Sequence, residues 1–214
     1  MDAPLLELAR VARRFRPDRP PVLDGLSFAL AAGEYVAILG ESGVGQGSRR
    51  LNQAARQSWP LFRKAGSRIR IVHQTGPAGF DEARDEFAQS GLDGEIVRFI
   101  TDMPAAFAAA DVVVCRSGAG AVSELAAAGK PSVLVPFPFA ADDHQARNAE
   151  AMERGGAARV VRDAEMDGQR LFDVLTSLAS SSGDLERMGE AARSFARPGA
   201  ARRAAEILEE VARG

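Results

Sequence analysis

Cysteine is almost missing from this sequence, since Cys115 is the only one among 214 residues. The chain therefore has no internal disulfide framework, and its composition favours a reducing compartment. No apolar run reaches the roughly 18 residues of a membrane-spanning helix, and the first residues lack the profile of a signal peptide. With a formal net charge of −2, bulk attraction to nucleic acid or to an anionic membrane is not expected. These absences predict a cytoplasmic globular protein that binds no nucleic acid.

A lysine and a hydroxyl are missing from the segment GESGVGQGSRR, residues 40–50, which begins like the phosphate loop of an ATPase. In such G-x-x-x-x-G-K-[ST] loops the lysine reaches the β and γ phosphate oxygens, and the hydroxyl binds magnesium. Gln46 and Gly47 occupy these two positions. Because neither side chain can do this chemistry, we expect no magnesium-dependent ATP site.

Strand-like and helix-like segments alternate from residue 35 onward. This alternation predicts βαβ units in an α/β fold, with a doubly wound, Rossmann-like parallel sheet of about six strands. The predicted strands are residues 35–39, 68–72, 95–99, 111–115, 131–136 and 158–161. The predicted helices are residues 49–65, 80–90, 103–110, 119–128 and 143–154, with further helical segments after residue 165.

Residues 1–33 do not follow this alternation. Two strand-like segments, residues 5–15 and 21–30, flank a loop rich in Pro and Arg, with no helix between them. Neighbouring strands without a helical connection predict an antiparallel pair. We therefore expect residues 1–33 to form a β-hairpin extension at or near an edge of the sheet, and residues 34–214 to form the Rossmann-like domain.

The segment CRSGAGAVSELAAAG, residues 115–129, predicts a strand end, a small-residue loop and a helix. The N–H groups and dipole at a helix N-terminus favour anions such as diphosphate. A carboxylate at Glu124, about one turn into the helix, could accept hydrogen bonds from both hydroxyls of a ribose. Alternatively, Glu124 only favours the first turn electrostatically, with Ser117 as its cap. Small residues that let a ligand approach the backbone are Gly118, Ala119, Gly120 and Ala121.

The segment PFPFAADDHQARNA, residues 136–149, predicts a second binding loop at the carboxyl end of a strand. Gln145 offers both a donor and an acceptor, which suits the neutral hydroxyls of a sugar. Alternatively, Asp142 caps the following helix and its neighbours are simply solvated. His144 is not interpreted as a metal ligand, because no cluster of Cys, His and carboxylate residues with ligand spacing surrounds it.

Two further polar or aromatic segments follow strands. In RFITDM, residues 98–103, the pattern alone favours Phe99 as an ordinary core aromatic. His73 and Gln74 end an earlier strand and are interpreted as structural.

From Gln46 to near the C-terminus the sequence resembles the C-terminal domain of the MurG family, N-acetylglucosaminyltransferases that make lipid II for bacterial peptidoglycan. The resemblance is carried by QGSRRLNQA, IVHQTG, VRFITDMPAAFAAADVVVCRSGAGAVSELAAAGKPSVLVPFPFAADDHQARNA and GAARVV. It implies half of a GT-B glycosyltransferase that binds UDP-GlcNAc or UDP, with no metal and no further cofactor. It also implies at most peripheral association with the inner face of the plasma membrane.

The resemblance assigns parts of the nucleotide sugar to individual positions. It implies that Glu124 binds the ribose, that His144 and Gln145 contact the sugar, that Phe99 covers the uracil and that backbone groups of Ile100 read its edge. It also implies diphosphate contacts at residues 118–121, with Gln46 in the loop after the first parallel strand.

Departures from the family pattern limit what the resemblance implies. Gly45 stands where serine is usual, Ala121 where threonine is frequent, and His144 where a second glutamine is frequent. The acceptor domain, with its catalytic histidine, has no counterpart in this sequence. No catalytic residue is therefore predicted, and turnover by this chain alone is not expected.

The N-terminal segment, residues 5–45, resembles the beginning of an ABC-transporter ATPase subunit up to its phosphate loop. No LSGGQ-like signature of that family follows. The sequence is therefore interpreted as a chimera whose main part is a UDP-GlcNAc-binding domain. The alternative function is a vestigial, non-catalytic α/β module that binds no nucleotide sugar.

Overall fold

The computed structural model describes residues 6–13, 23–30, 35–39, 49–181, 183–200, 202–203 and 206–207. The strands are β1 Leu6–Arg13, β2 Leu23–Leu30, β3 Tyr35–Leu39, β4 Ile69–Gln74, β5 Asp93–Val97, β6 Val112–Cys115, β7 Ser132–Leu134 and β8 Ala158–Val160. The helices are α1 Arg49–Lys64, α2 Phe80–Ser90, α3 Met103–Ala109, α4 Ala119–Ala128, α5 His144–Arg154, α6 Gly168–Ser180 and α7 Asp184–Ser194. Short 3-10 turns lie at Ala141–Asp143 and Asp163–Glu165.

Six strands form one sheet in the order β5-β4-β3-β6-β7-β8, and every neighbouring pair is parallel. The chain runs outward from β3 to β5, returns to β6 beside β3, and then runs outward to β8. The predicted doubly wound sheet of six strands is confirmed, and the strand–helix order agrees with the alternation in the sequence.

The N-terminal strands form a separate two-stranded sheet. Strand β1 pairs antiparallel with β2, so that Leu6 lies opposite Leu30 and Arg13 lies opposite Leu23. The predicted antiparallel pair is confirmed. Among the described strands, however, neither member pairs with β5 or β8, the edge strands of the larger sheet. The hairpin is therefore a two-stranded sheet of its own, and its predicted place at or near the edge of the larger sheet stays a prediction. The domain boundary after residue 33 stays a prediction.

Both faces of the larger sheet are covered by helices. Along β6, Val112 and Val114 belong to a core cluster with residues of α1, α2 and α6, whereas Val113 and Cys115 belong to a second cluster with residues of α3, α4 and α5. Successive strand residues point to opposite faces, so a strand buried on both sides is continuously apolar. This arrangement leaves polar residues at the strand ends, where the loops emerge.

Candidate functional site

The order of the strands places a topological switch point between β3 and β6. In open α/β sheets, ligands bind in the crevice at the carboxyl ends of the strands, where the loops on either side diverge. The loop after β6, residues 116–118, lies at this crevice. The loop after β3, residues 40–48, lies outside the described residues, so the prediction for Gln46 is untested.

Helix α4 begins at this crevice without a side-chain cap. Its N-cap residue is Gly118, and the first helical hydrogen bond runs from the N–H of Val122 to the carbonyl of Gly118 over 3.0 Å. The N–H groups of Ala119, Gly120 and Ala121 therefore belong to the first turn, where no helical carbonyl is available to them. A Cβ atom added at Gly118 or Gly120 would meet nothing within 4 Å. The structure thus presents an open helix N-terminus, an arrangement that binds anions.

Glu124 and Ala121 lie on different faces of α4. The side chain of Ala121 is buried in the core, so only its backbone can meet a ligand in the crevice. Glu124 is exposed and lies four residues after Gly120, on the same face of the helix. Helical side chains lean toward the helix N-terminus, so a carboxylate at this position is within reach of a ligand bound at the open first turn.

The alternative interpretation of this segment is wrong. No acidic residue lies in the first turn of α4, and Ser117 does not cap the helix. The Ser117 hydroxyl instead donates to the backbone carbonyl of Gln145, over 2.8 Å. The Ser117 hydroxyl is thus engaged in a tertiary hydrogen bond and does not cap α4.

The loops after β6 and β7 are joined by hydrogen bonds. Besides the bond from Ser117 to Gln145, the side-chain amide of Asn148 donates to the carbonyl of Ser117 over 3.0 Å. These two bonds hold the start of α5 beside the start of α4. The structure therefore brings the predicted phosphate-binding residues and the predicted sugar-binding residues together.

The side chain of Gln145 has a fixed orientation. Its Oε1 atom accepts a hydrogen bond from the N–H of Phe137 over 3.0 Å. Only the amide oxygen can accept, so the Nε2 group is the part of this side chain that can donate to a ligand. A donor at this position suits the oxygen of a sugar hydroxyl. His144, the first residue of α5, is exposed beside it.

Two consecutive aspartates precede α5 in left-handed conformation, Asp142 with φ of 51° and Asp143 with φ of 54°. Asp143 is the N-cap residue and its side chain makes no capping hydrogen bond. The alternative interpretation of Asp142 as the cap is therefore wrong. Such conformations cost on the order of 1 kcal/mol each for residues other than glycine, and they are concentrated in ligand-binding loops.

Phe99 is not a core aromatic, because 63% of its surface is exposed. The next residue, Ile100, is half-buried and packs on the same core cluster as Ala121 and Leu125 of α4. Its N–H donates to the Oε1 atom of Gln74 over 2.8 Å. The segment after β5 therefore exposes the ring of Phe99 to solvent, while the hydrogen bond to Gln74 holds the backbone of the next residue.

His73 lies in the core at the end of β4, in agreement with its structural interpretation. Its Nε2 atom lies 3.0 Å from Oδ1 of Asn52, whose Nδ2 group donates to the carbonyl of Thr75 over 2.8 Å. Burial lowers the pKa of His73 to about 4, and the charge of Arg56 contributes to the lowering. The imidazole is therefore neutral at pH 7 and positions the start of α1 against β4.

The side chain of Cys115 is unsuited to nucleophilic chemistry. Burial raises the pKa of its thiol to about 12, and the nearby carboxylate of Glu124 adds to the rise. Since the thiolate is the reactive form, Cys115 serves as a small apolar residue of the core.

Arg116 is a residue of this site that the sequence interpretation missed. Its guanidinium is buried, donates to the carbonyls of Val135 and Pro136 over 3.1 and 3.3 Å, and forms an ion pair of 2.6 Å with Asp163. It also lies 5.4 Å from the ring centre of Phe137. The available signal was a charged residue directly after a continuous apolar strand, since an arginine there is buried only if it is paired.

Two general features of the described residues concern metals and membranes. No group of three or more His, Cys, Asp and Glu residues in the described ranges could hold a metal ion. No helix in that part of the chain is both long and apolar enough to cross a membrane.

The doubly wound sheet, with an open helix N-terminus and polar loops at its switch point, defines the Rossmann-like half of a GT-B glycosyltransferase. Residues 42–206 match the model of the glycosyltransferase family 28 C-terminal domain. The chain belongs to this family, and the match begins four residues before Gln46.

Relatives and a solved structure agree with this assignment. The chain is 69% identical over 183 residues to the UDP-N-acetylglucosamine--N-acetylmuramyl-(pentapeptide) pyrophosphoryl-undecaprenol N-acetylglucosamine transferase of Solibacter usitatus, covering 86% of this chain and 50% of the relative. It is 48% identical over 180 residues to the transferase of the same description from Halorhodospira halophila, covering 84% and 49%. The crystal structure of Acinetobacter baumannii MurG superposes with a TM-score of 0.71 at 30% identity, covering 82% and 49%. The chain thus spans about half the length of the curated relatives it matches.

Proposed function

We propose that this chain binds UDP-GlcNAc, the sugar donor of a glycosyl transfer, in the crevice at the carboxyl ends of β4 to β7. The observation that carries the proposal is the pair of joined loops at the switch point. There the open N-terminus of α4, with Glu124 one turn in, is tied through Ser117 to Gln145. The names of the relatives describe transferases that use UDP-N-acetylglucosamine, which supports this choice of ligand.

Each part of the ligand has a chemically suitable partner. The first-turn N–H groups of α4 would bind the diphosphate, which carries the negative charge that a helix N-terminus favours. The carboxylate of Glu124 would accept from the two ribose hydroxyls. The amide of Gln145, with His144 beside it, would contact the sugar, and Phe99 and Ile100 would enclose the uracil. Gln46 completes the proposed set from the loop after β3.

The same geometry would assist the departure of UDP. As the bond between sugar and diphosphate breaks, negative charge develops on the phosphate oxygens that face the α4 N-terminus. Oriented donors at the place where charge develops lower the barrier of such a step. Gly45 and Ala121 supply no hydroxyl to the phosphates, so this donor site relies on backbone N–H groups.

The role proposed for this chain is donor recognition. Transfer also needs a base for the acceptor hydroxyl and an acceptor held in position, and we assign neither to a residue of this chain. In keeping with the family resemblance, we place the chain in the cytoplasm, associated at most peripherally with the inner face of the plasma membrane. The ATPase-like origin of residues 5–45 stays a hypothesis, since the family match begins at residue 42.

Isothermal titration of the purified chain with UDP-GlcNAc, UDP, ATP and GTP tests the proposal. UDP-GlcNAc and UDP should bind, and the two purine nucleotides should bind more weakly or not at all. Binding of none of the four would instead favour the α/β module without a nucleotide-sugar site.

A further inference from the structure

The side chain of Gln74 connects the end of β4 with the segment that carries Phe99. Only 7% of its surface is exposed, and its Oε1 atom accepts the N–H of Ile100 over 2.8 Å. Because a backbone N–H can only donate, the orientation of the Gln74 amide is determined by this bond. The two residues are 26 positions apart in the sequence, so the bond is a tertiary contact.

The rest of the segment is fixed at both ends. On one side, the N–H of Thr75 donates to the carbonyl of Val97 over 3.0 Å and continues the pairing of β4 with β5. On the other side, Asp102 caps α3 by accepting from the N–H of Ala105 over 2.9 Å. Between these anchors, the bond to Gln74 holds the backbone N–H of Ile100. It therefore determines how the exposed ring of Phe99 is presented.

We infer that Gln74 is a positioning residue for recognition of the nucleobase. The inference rests on the proposed function, because it gives Gln74 a role in the same nucleotide site. By holding the Ile100 N–H, the buried amide fixes the backbone from which Phe99 covers the base. Gln74 itself does not touch the ligand.

Loss of the Gln74 acceptor should affect the base more than the rest of the ligand. In Gln74→Met, a side chain of similar length without an acceptor leaves the N–H of Ile100 unpaired, and the segment can shift. Ribose and diphosphate contacts lie on α4 and do not depend on this bond. We therefore expect UDP affinity to fall about tenfold, as for loss of one buried hydrogen bond, while ADP affinity changes less than about twofold.

The experiment compares dissociation constants for UDP, CDP and ADP in four proteins: the unmodified chain, Gln74→Met, Gln74→Glu and Gln57→Met. Gln74→Glu keeps an acceptor oxygen and should retain most of the preference for UDP. Gln57→Met is the matched control, because Gln57 makes an equivalent bond, accepting the N–H of Gly168 over 3.1 Å at the α1–α6 contact. It should lower the melting temperature without changing the preference for UDP.

A second readout needs no ligand. The amide hydrogen of Ile100 should exchange slowly in the unmodified chain and in Gln74→Glu, and quickly in Gln74→Met. Rapid exchange in the unmodified chain would overturn the inference. So would an unchanged preference for UDP in Gln74→Met. If the unmodified chain binds no UDP at all, the proposed function fails first and this inference fails with it.

Discussion

Arg116 and Asp163 form a largely buried ion pair of 2.6 Å, with 8% and 17% of their side-chain surfaces exposed. The pair connects the loop after β6 with the turn after β8. Since the same guanidinium also binds the carbonyls of Val135 and Pro136, it fixes the start of the β7–α5 loop as well. One buried charge thus holds the elements that carry the proposed diphosphate and sugar contacts.

Arg116→Met should destabilise the fold strongly, because it removes the buried and closer cation beside the carboxylate of Asp163 and leaves, among the described residues, only the exposed Arg50, at 3.8 Å. Removing one member of a buried pair costs about 3 kcal/mol or more. The double variant Arg116→Met/Asp163→Asn should recover part of this loss, since the carboxylate that lost its buried partner is gone as well. Urea denaturation gives the free energies of unfolding for the double-mutant cycle.

The exposed pair Arg154–Glu150, at 3.5 Å, provides the control. Arg154→Met should change the free energy of unfolding by less than about 1 kcal/mol, as for other solvent-exposed pairs. Strictly additive effects of the two changes at Arg116 and Asp163 would contradict the coupling.

Acid should destabilise the protein through His73. Burial lowers its pKa from 6.5 to about 4, so between these values the unfolded chain binds a proton that the folded chain does not. The free energy of unfolding therefore falls as the pH falls through this window. We expect His73 to account for a loss of about 2 kcal/mol between pH 7 and pH 5.

Denaturation at several pH values checks this assignment. His73→Gln should remove that part of the pH dependence, although it also lowers stability at pH 7. His144→Gln replaces the other histidine of the chain, which is exposed, and should leave the dependence in place. An equal acid loss in His73→Gln and in the unmodified chain would show that other groups cause it.

Much of the fold could be predicted from local sequence. The continuous apolar run at Val112–Cys115 indicated a strand buried on both faces, and the small residues after it indicated the loop before α4. The contacts that complete the site are tertiary and leave no local pattern. Its position before α4 made Ser117 a plausible helix cap, but its hydroxyl donates to the backbone carbonyl of Gln145 instead.

The other contacts of the site that the sequence did not predict are also long-range polar contacts. The bond between Gln74 and Ile100 and the ion pair of Arg116 with Asp163 join residues from different βα units. Sequence spacing cannot identify such partners, because the folded sheet alone brings the strand ends together. The exposure of Phe99 was not predicted for a different reason, because an aromatic residue near a strand end more often belongs to the core.

Magnesium-dependent ATP binding should be absent. Gln46 supplies no cation for the phosphates, and Gly47 supplies no hydroxyl for the metal. Titration with ATP, with and without magnesium, should give no metal-sensitive binding, whereas UDP in the same buffer serves as the positive control. A micromolar dissociation constant for ATP that requires magnesium would show that the loop after β3 still works as a phosphate loop.

The proposed ribose contact of Glu124 gives the most direct test of the nucleotide-sugar site. Hydrogen bonds to a charged acceptor contribute roughly 1.5–3 kcal/mol, so Glu124→Gln should weaken UDP binding on the order of tenfold to a hundredfold. Glu190→Gln, at an exposed position of α7, is the control and should bind UDP as the unmodified chain does. Melting temperatures of both variants should stay close to that of the unmodified chain.

The decisive measurement is ligand-observed NMR with UDP and 2′-deoxy-UDP on the unmodified chain and on Glu124→Gln. If Glu124 accepts from both ribose hydroxyls, the unmodified chain should bind UDP clearly better than 2′-deoxy-UDP. The deoxy nucleotide should then lose less affinity than UDP in Glu124→Gln, because one of the two partner hydroxyls is already absent. Equal binding of the two nucleotides by the unmodified chain would remove Glu124 from the site and contradict the proposed donor geometry.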